Sequence, residues 1–288
     1  MVRLQFSIEL DYDVASSGAD FIFNIHAAHT AQQTVVSETL RISQPVPYTL
    51  DTDPASRSRY LRLQAVGGLL RVNYDATVDI HHYTAQPDTL GQVPVCQLPG
   101  AVLPFIYPSR YCQSDRLHKF AWREFGDIPA GYGRARAICD WVQKHVGFES
   151  NTSHGSTSAL DTLVDRAGVC RDFAHLMIAL CRALNMPARF ATGIDYGAAE
   201  ALGAPDFHAY VEVYLGHRWY IFDASGTAIP MGFVRFGTSR DAADAAFATM
   251  FGGVTSGAPR IHMQPVANAQ GVVLEPVHVA HALSTDGL

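Results

Sequence analysis

Apolar and polar residues alternate with a period of two along the first part of the chain. Leu4, Phe6, Ile8, Leu10 and Tyr12 fall on one face of this pattern, and the residues between them are polar. Similar stretches recur up to about residue 82, separated by clusters of Gly, Ser, Asp and Pro. The pattern predicts an antiparallel β-sandwich at the N-terminus.

Prolines and glycines are concentrated between Pro87 and Pro108, which indicates a linker over the surface. We therefore predict a β-sandwich-like N-terminal domain over residues 1–95. A second domain with a C-terminal extension is predicted over residues 96–288. The length of 288 residues is what about two domains require.

The second domain begins with helical patterns and continues with strands. Helical signals start near Asp127, and apolar residues at three- and four-residue steps predict a helix over Gly133–His145. A strongly amphipathic helix follows Cys170, and the chain from residue 188 onwards has strand character. This order predicts an α+β domain in which helices pack on an antiparallel sheet.

Cys170 lies at the start of the amphipathic helix, two residues after Gly168. The free N–H groups at a helix N-terminus carry partial positive charge, which favours the thiolate form of a cysteine. Gly168 allows a close backbone turn, and the backbone N–H of Cys170 can donate to a developing oxyanion. Cys170 is therefore the candidate nucleophile.

The other cysteines lack such a setting, and we interpret them as small structural residues. They are Cys96, Cys112, Cys139 and Cys181. An odd number of cysteines fits free thiols in a reducing compartment. We find neither a signal-peptide pattern nor an apolar run long enough for a membrane span, so we expect a cytoplasmic protein without a membrane partner.

Two strand-like segments on either side of Gly216–His217 predict a hairpin with a two-residue turn. In that register Tyr210 pairs with Asp223, and His208 lies diagonal to Asp223 on the same face, roughly 7 to 8 Å away between backbones. A thiolate nucleophile needs such a base with an orienting carboxylate behind it. A shift of one residue in the register would separate the pair.

Neighbouring polar residues have structural interpretations. His175 follows Cys170 by five residues on the same helix and points away from it, so we interpret His175 as a packing residue. We interpret Asp172 as a helix cap or a partner of Arg171.

The formal charge of -6 argues against a nucleic-acid partner. No cysteine or histidine spacing suits a metal, so we predict neither metal nor cofactor.

Three motifs together resemble those of the transglutaminase-like superfamily. They are Gly168–His175, Phe207–Tyr214 and Trp219–Asp223, which occur in the family's order of Cys, His and Asp. The chain is similar to the bacterial cysteine-protease-like branch over about residues 100–250, and its β-domain is similar to the region that precedes the core there. Ala224-Ser225 departs from the Pro-Thr that many relatives have after the aspartate.

The resemblance implies a papain-like, transglutaminase-like core and a catalytic triad of Cys170, His208 and Asp223. It implies acyl transfer on an amide or peptide bond of a peptide or protein substrate, and it favours hydrolysis, as in a cysteine protease or amidase. Three alternatives stay open. They are an amine-accepting transglutaminase, an arylamine-type acetyltransferase, and a non-catalytic peptide- or protein-binding module on the same fold.

Overall fold

A computed structural model describes residues 1–197 and 206–286 of the chain. The strands of this part are β1 (Val2–Phe23), β2 (Gln33–Ile42), β3 (Tyr48–Thr52), β4 (Arg59–Ala65), β5 (Gly68–Ile80), β6 (Tyr83–Ala85), β7 (Gly147–Phe148), β8 (Ala167–Gly168), β9 (Ala188–Asp195), β10 (His208–Leu215), β11 (Arg218–Phe222), β12 (Phe233–Ser239), β13 (Ala248–Ser256), β14 (Arg260–Pro265) and β15 (Ala282–Ser284). The helices are α1 (Ser114–Phe125), α2 (Tyr132–His145), α3 (Ala159–Asp165) and α4 (Cys170–Ala183).

The N-terminal sheet is built around the long strand β1. Its first part pairs with β5 and its second part with β4, and the register shifts between Val14 and Ala19. The ring of Tyr12 lies 5.2 Å from Phe21 and 5.7 Å from Phe23, so the two parts of β1 face each other across the core. The predicted antiparallel sandwich is thus one sheet curled back on itself.

Two strands from the last third of the chain complete this sheet. β13 and β14 pair with β1 along the side opposite β4 and β5. The N-terminal sheet therefore contains residues 248–265, which the predicted division assigns to the C-terminal extension. The boundary near residue 95 stays a prediction.

The second sheet has the order β11-β10-β9-β12 and is antiparallel throughout. Helix α4 packs against β9 and β10 and contacts α1, α2 and α3 elsewhere on its surface. All its residues from Asp172 to Ala183 are buried. The predicted helix is confirmed. The sequence predicts one apolar face that packs against the core, whereas in the structure the helix is buried on all of its faces, as is typical of the central helix of a domain.

Helices α1 and α2 differ in how well the sequence predicts them. The helix predicted over Gly133–His145 is confirmed as α2, which begins one residue earlier. The expectation that helices begin near Asp127 is wrong, because α1 precedes it and Asp127 lies in the turn between α1 and α2. The Pro/Gly-rich segment packs Val93 and Leu98 against the β10–β11 hairpin at Trp219.

A buried charge network joins three strands of the second sheet to the chain's C-terminal part. Arg235 on β12 is fully buried and pairs with Glu212 on β10 and Asp286, while Arg189 on β9 pairs with the same two carboxylates. Burial alone would raise the pKa of Asp286, but the charges of the two arginines outweigh it and lower the pKa to about 2. Gln33 of β2 bonds to both backbone groups of Arg235, which ties the two sheets together.

We expect Arg235→Met to destabilise the protein by about 3 kcal/mol, because it leaves two buried carboxylates short of a partner. Arg41→Met is the control, since Arg41 forms an exposed pair with Asp75 and its loss should cost less than about 1 kcal/mol. Urea unfolding followed by circular dichroism measures both. Equal midpoints for the two variants would contradict the importance of the network.

Candidate active site

The start of helix α4 is fixed by a carboxylate that bonds back to the preceding turn. Asp172 accepts a hydrogen bond from the Val169 N–H at 2.9 Å and a second from Ser153 Oγ at 2.9 Å. A Cβ at position 168 would lie 2.7 Å from the Asp172 Cβ, so only glycine leaves room for this contact. The helix therefore begins at Cys170, and the interpretation of Asp172 as a cap is confirmed.

The β10–β11 hairpin has the predicted register. Leu215 pairs with Arg218, and the turn residues Gly216 and His217 have φ values of 52° and 65°. Left-handed backbone at both positions is the two-residue turn whose twist matches paired strands. Asp223 follows directly after β11, and its Oδ1 lies 3.3 Å from Nε2 of His208.

Asp223 is held by three further hydrogen bonds. Its carboxylate accepts the backbone N–H of Ser225 at 3.0 Å, the Ser225 hydroxyl at 2.7 Å and the backbone N–H of Ala228 at 2.9 Å. Burial raises the pKa of Asp223, but the bond and charge of His208, together with these donors, lower it below its usual value. Ala224-Ser225 stands where many relatives have Pro-Thr, and the Ser225 hydroxyl donates a hydrogen bond to the Asp223 carboxylate there.

His208 lies between Asp223 and Cys170. Burial lowers the pKa of His208, but hydrogen bonding to Asp223 and Cys170, with the charges of Cys170 and Asp195, raises it well above its ordinary value. The imidazolium form is therefore favoured. Because Nε2 bonds to Asp223, Nδ1 is the ring nitrogen left for proton transfer. The structure brings the three predicted residues together.

The thiol of Cys170 is half-buried, and its Sγ lies 3.9 Å from the carbonyl oxygen of Phe207, just before β10. Burial raises the pKa of Cys112 and Cys139 to about 12. Cys181 is fully buried within α4, and burial raises its pKa as well. Cys170 is thus half-exposed and Cys96 is exposed, whereas the other three cysteines are buried core thiols.

His175 is a packing residue, as predicted. Its ring stacks on Tyr111 at 4.9 Å, and its Nε2 accepts a hydrogen bond from the Ala242 N–H at 3.1 Å. Burial lowers the pKa of His175 to about 3, so the ring is neutral and suits this acceptor role.

A cavity of about 630 Å³ opens over Cys170 and His208. One wall carries Arg171, and another carries Phe207 stacked on Phe247 at 4.1 Å. Phe247 precedes β13, so the segment that connects the two sheets also forms part of the cavity wall.

Asp195 is a cavity residue that the sequence analysis missed. It ends β9, its side chain is 2% exposed, and its Oδ2 lies 3.6 Å from Nδ1 of His208. Strand character from residue 188 onwards does not by itself indicate which side chain lies beside His208. The pairing of Gly193 with His208 explains the proximity, because Asp195 is two residues further along the same face.

Two family models match the chain. The transglutaminase-like superfamily matches residues 123–224, and the bacterial transglutaminase N-terminal domain matches residues 2–101. The crystal structure of a protein from Cytophaga hutchinsonii, provisionally described as a cysteine protease, is 39% identical in sequence. It aligns over 98% of this chain and 97% of that chain, with a TM-score of 0.90. The chain therefore belongs to the transglutaminase-like superfamily, and the predicted α+β fold is confirmed.

More distant similarities are partial. An uncharacterized protein of Mycobacterium leprae (strain TN) is 26% identical over 114 residues, which are 38% of this chain and 41% of that protein. The chain thus matches less than half of this curated relative's length. The periplasmic domain of TgpA from Pseudomonas aeruginosa is 15% identical, with a TM-score of 0.39 over 80% of this chain and 92% of that chain. No helix in the described ranges is long and apolar enough to cross a membrane.

We expect iodoacetamide to alkylate Cys170 faster than exposed Cys96 at about pH 6, because a cysteine beside a protonated histidine is the more reactive one. His208→Ala should slow this reaction by roughly 10-fold or more. His262→Ala is the matched control, because His262 is exposed on β14 outside the cavity, and it should leave the rate unchanged. Peptide mass spectrometry measures the rate at each cysteine. A Cys170 rate equal to that of exposed Cys96, and insensitive to His208→Ala, would contradict activation of Cys170 by His208.

Proposed function

We propose that this protein is a thiol-dependent enzyme that hydrolyses an amide or peptide bond through Cys170, His208 and Asp223. One observation carries the proposal. The His208 ring bonds to an anchored carboxylate on one side and interacts with the Cys170 thiol on the other, at the base of an open cavity. This is the arrangement that activates a thiol nucleophile. Membership in the superfamily supports the same chemistry.

In the first half of the reaction, the Cys170 thiolate attacks the carbonyl carbon of the amide. The Nδ1–H of His208 gives its proton to the leaving amine, the C–N bond breaks, and a thioester remains on Cys170. Asp223 keeps the ring oriented and stabilises the imidazolium through Nε2.

In the second half, neutral His208 takes a proton from water through Nδ1, and the water oxygen attacks the thioester. The C–S bond breaks, the carboxylic acid leaves, and the thiolate and imidazolium are restored. Each half transfers one proton through His208, so the cycle closes without a cofactor step.

The N-terminus of α4 supports stabilisation of the oxyanion. The backbone N–H of Cys170 lies in the first turn of the helix, where N–H groups have no intrahelical acceptor and the dipole favours negative charge. A donor of this kind contributes roughly 100- to 1,000-fold in rate where it has been removed in other enzymes.

The cavity lining supports a peptide or protein substrate. Aromatic side chains of Phe148, Phe190, Phe207 and Phe247 line it beside the charged Arg171 and Asp206. Apolar walls with a few polar groups are typical of sites that bind side chains and fix their orientation.

Amine transfer is the second candidate. It is favoured by the match of residues 2–101 to the N-terminal domain of bacterial transglutaminases. The two reactions share the thioester and differ only in the nucleophile that attacks it. A non-catalytic binding module is disfavoured, because such modules lose a member of the triad and this chain has all three.

A library of fluorogenic peptide amides, incubated with and without glycinamide, tests the proposal. We expect release of the fluorophore to disappear in Cys170→Ala and to persist in Cys96→Ala, which removes an exposed thiol outside the cavity. A free acid as product supports hydrolysis, whereas a glycinamide adduct supports amine transfer. Full activity of Cys170→Ala on an identified substrate would exclude the mechanism.

We expect Asp223→Asn to lower kcat/KM by roughly 100-fold or more and to shift the alkaline limb of the pH profile downwards. The direction of the shift follows from the pKa of His208, which the hydrogen bond to Asp223 raises. The imidazolium is present below this pKa and is lost as pH rises through it. Removing the carboxylate lowers the pKa, so the loss begins at a lower pH. An unmoved alkaline limb would show that Asp223 does not act through His208.

A further inference from the structure

Asp195 approaches His208 from the side opposite Asp223. Its Oδ2 lies 3.6 Å from Nδ1, whereas Asp223 Oδ1 lies 3.3 Å from Nε2. Both carboxylate side chains are buried, with 2% and 5% exposure. Asp195 also lines the cavity above Cys170, so it faces the space in which the proton transfers of the reaction occur.

The two carboxylates differ in how the protein holds them. Asp223 receives hydrogen bonds from Ser225 and Ala228, whereas Oδ1 of Asp195 is buried and has no hydrogen-bond partner within residues 1–197 and 206–286. In the same ranges no arginine or lysine pairs with Asp195, and His208 is its only ionic neighbour. In the part of the chain that the structure describes, Asp195 therefore lacks the donors that anchor Asp223, and its carboxylate lines the cavity without being committed to another protein group.

The ionisation of Asp195 suits a proton acceptor near neutral pH. Burial raises the pKa of Asp195 to about 6, with the charge of His208 lowering it and that of Asp223 raising it. A carboxylate with a pKa close to the working pH can both accept a hydrogen bond and exchange a proton.

We propose that Asp195 is a catalytic residue of thioester hydrolysis, in which its carboxylate accepts a hydrogen bond from the attacking water in the cavity; this role rests on the proposed thiol-dependent function. Nδ1 of His208 takes one proton of the water while Asp195 holds the other O–H. The C–O bond forms, the C–S bond breaks, and Cys170 leaves as a thiolate beside the imidazolium. Nδ1 of His208 and Oδ2 of Asp195 are 3.6 Å apart, so one water molecule at about 2.8 Å from each can contact both.

This role separates the two halves of the reaction. Attack of Cys170 on the substrate needs no water, so loss of Asp195 leaves the first half largely intact. A primary amine that reaches the thioester meets the same carboxylate. It arrives as an ammonium ion and gives one proton to Asp195, which passes it on to solvent. The free amine then attacks, His208 takes the second proton, the C–N bond forms, and the C–S bond breaks to release the Cys170 thiolate.

Burst kinetics with p-nitrophenyl acetate, an activated ester that acylates thiols, test the role of Asp195. We expect Asp195→Asn to keep the initial burst of p-nitrophenol and to lower the steady-state rate by roughly 100-fold. An acetyl adduct on Cys170 should then accumulate and be visible by peptide mass spectrometry. Asp20→Asn, which removes one exposed negative charge on β1, is the control and should match the unsubstituted protein.

The pH dependence gives a second readout, which a purely structural role would not move. In the unsubstituted protein, deacylation should fall as pH drops through about 6, because Asp195 then becomes protonated. His208 titrates in both proteins and is faced by Cys170, Asp223, Asp195, the Tyr210 ring and, at longer range, Asp206. Asp195 is faced by His208, Asp223 and Tyr210. Loss of the Asp195 charge lowers the pKa of His208, so in Asp195→Asn the limb of His208 moves to lower pH, whereas the limb of Asp195 disappears.

The possible failures are distinguishable. A normal burst followed by unchanged turnover in Asp195→Asn would overturn the role of Asp195 and leave the proposed function standing. No burst from the unsubstituted protein would overturn the thioester chemistry and this role with it. If Asp195→Asn does not fold, the unsubstituted protein still decides, because a deacylation rate that stays constant from about pH 8 to about pH 5 would overturn the role.

Discussion

The register of the β10–β11 hairpin is the constraint on which the candidate site depends. The side chains of a strand alternate between faces, so a slip of one residue would turn His208 away from Asp223. The turn at Gly216 and His217 prevents the slip, because two left-handed residues close a hairpin of only one length. Strands β9 and β12 extend the same sheet, and the buried charges around Glu212 bind it together. The orientation of the histidine is thus set by backbone pairing rather than by contacts of its own side chain.

Cys170 is positioned by helix α4, independently of the β10–β11 hairpin. Helix α4 is enclosed by other helices and by the sheet, so its axis has little freedom, and the contact between Asp172 and Gly168 determines the residue at which it begins. The helix begins near the first residues of β10, where Cys170 meets Phe207 and His208. Two rigid elements therefore meet at their ends. Sites assembled in this way keep their geometry without support from a bound ligand.

Local patterns in the sequence were sufficient for much of this arrangement. The period-two alternation, the helix after Cys170 and the hairpin register all follow from short-range rules, and the structure confirms them. Helix α1 was missed because its N-cap, Gln113, makes no side-chain capping bond and so gives no start signal. The pairing of β13 and β14 with β1 was missed because contacts across more than 200 residues leave no local trace. Asp195 was missed because its meaning depends on the strand beside it.

The central position of β1 has a consequence for how the protein is made. Residues near Phe23 leave the ribosome early, but their partners in β13 begin only at Ala248. At typical elongation rates this delay is roughly 10 to 45 s. Throughout it, one side of the strand has unpaired N–H and C=O groups, which are a template for pairing with another chain. During synthesis, a chaperone bound to this side of β1 would keep it from pairing with another chain until β13 has emerged.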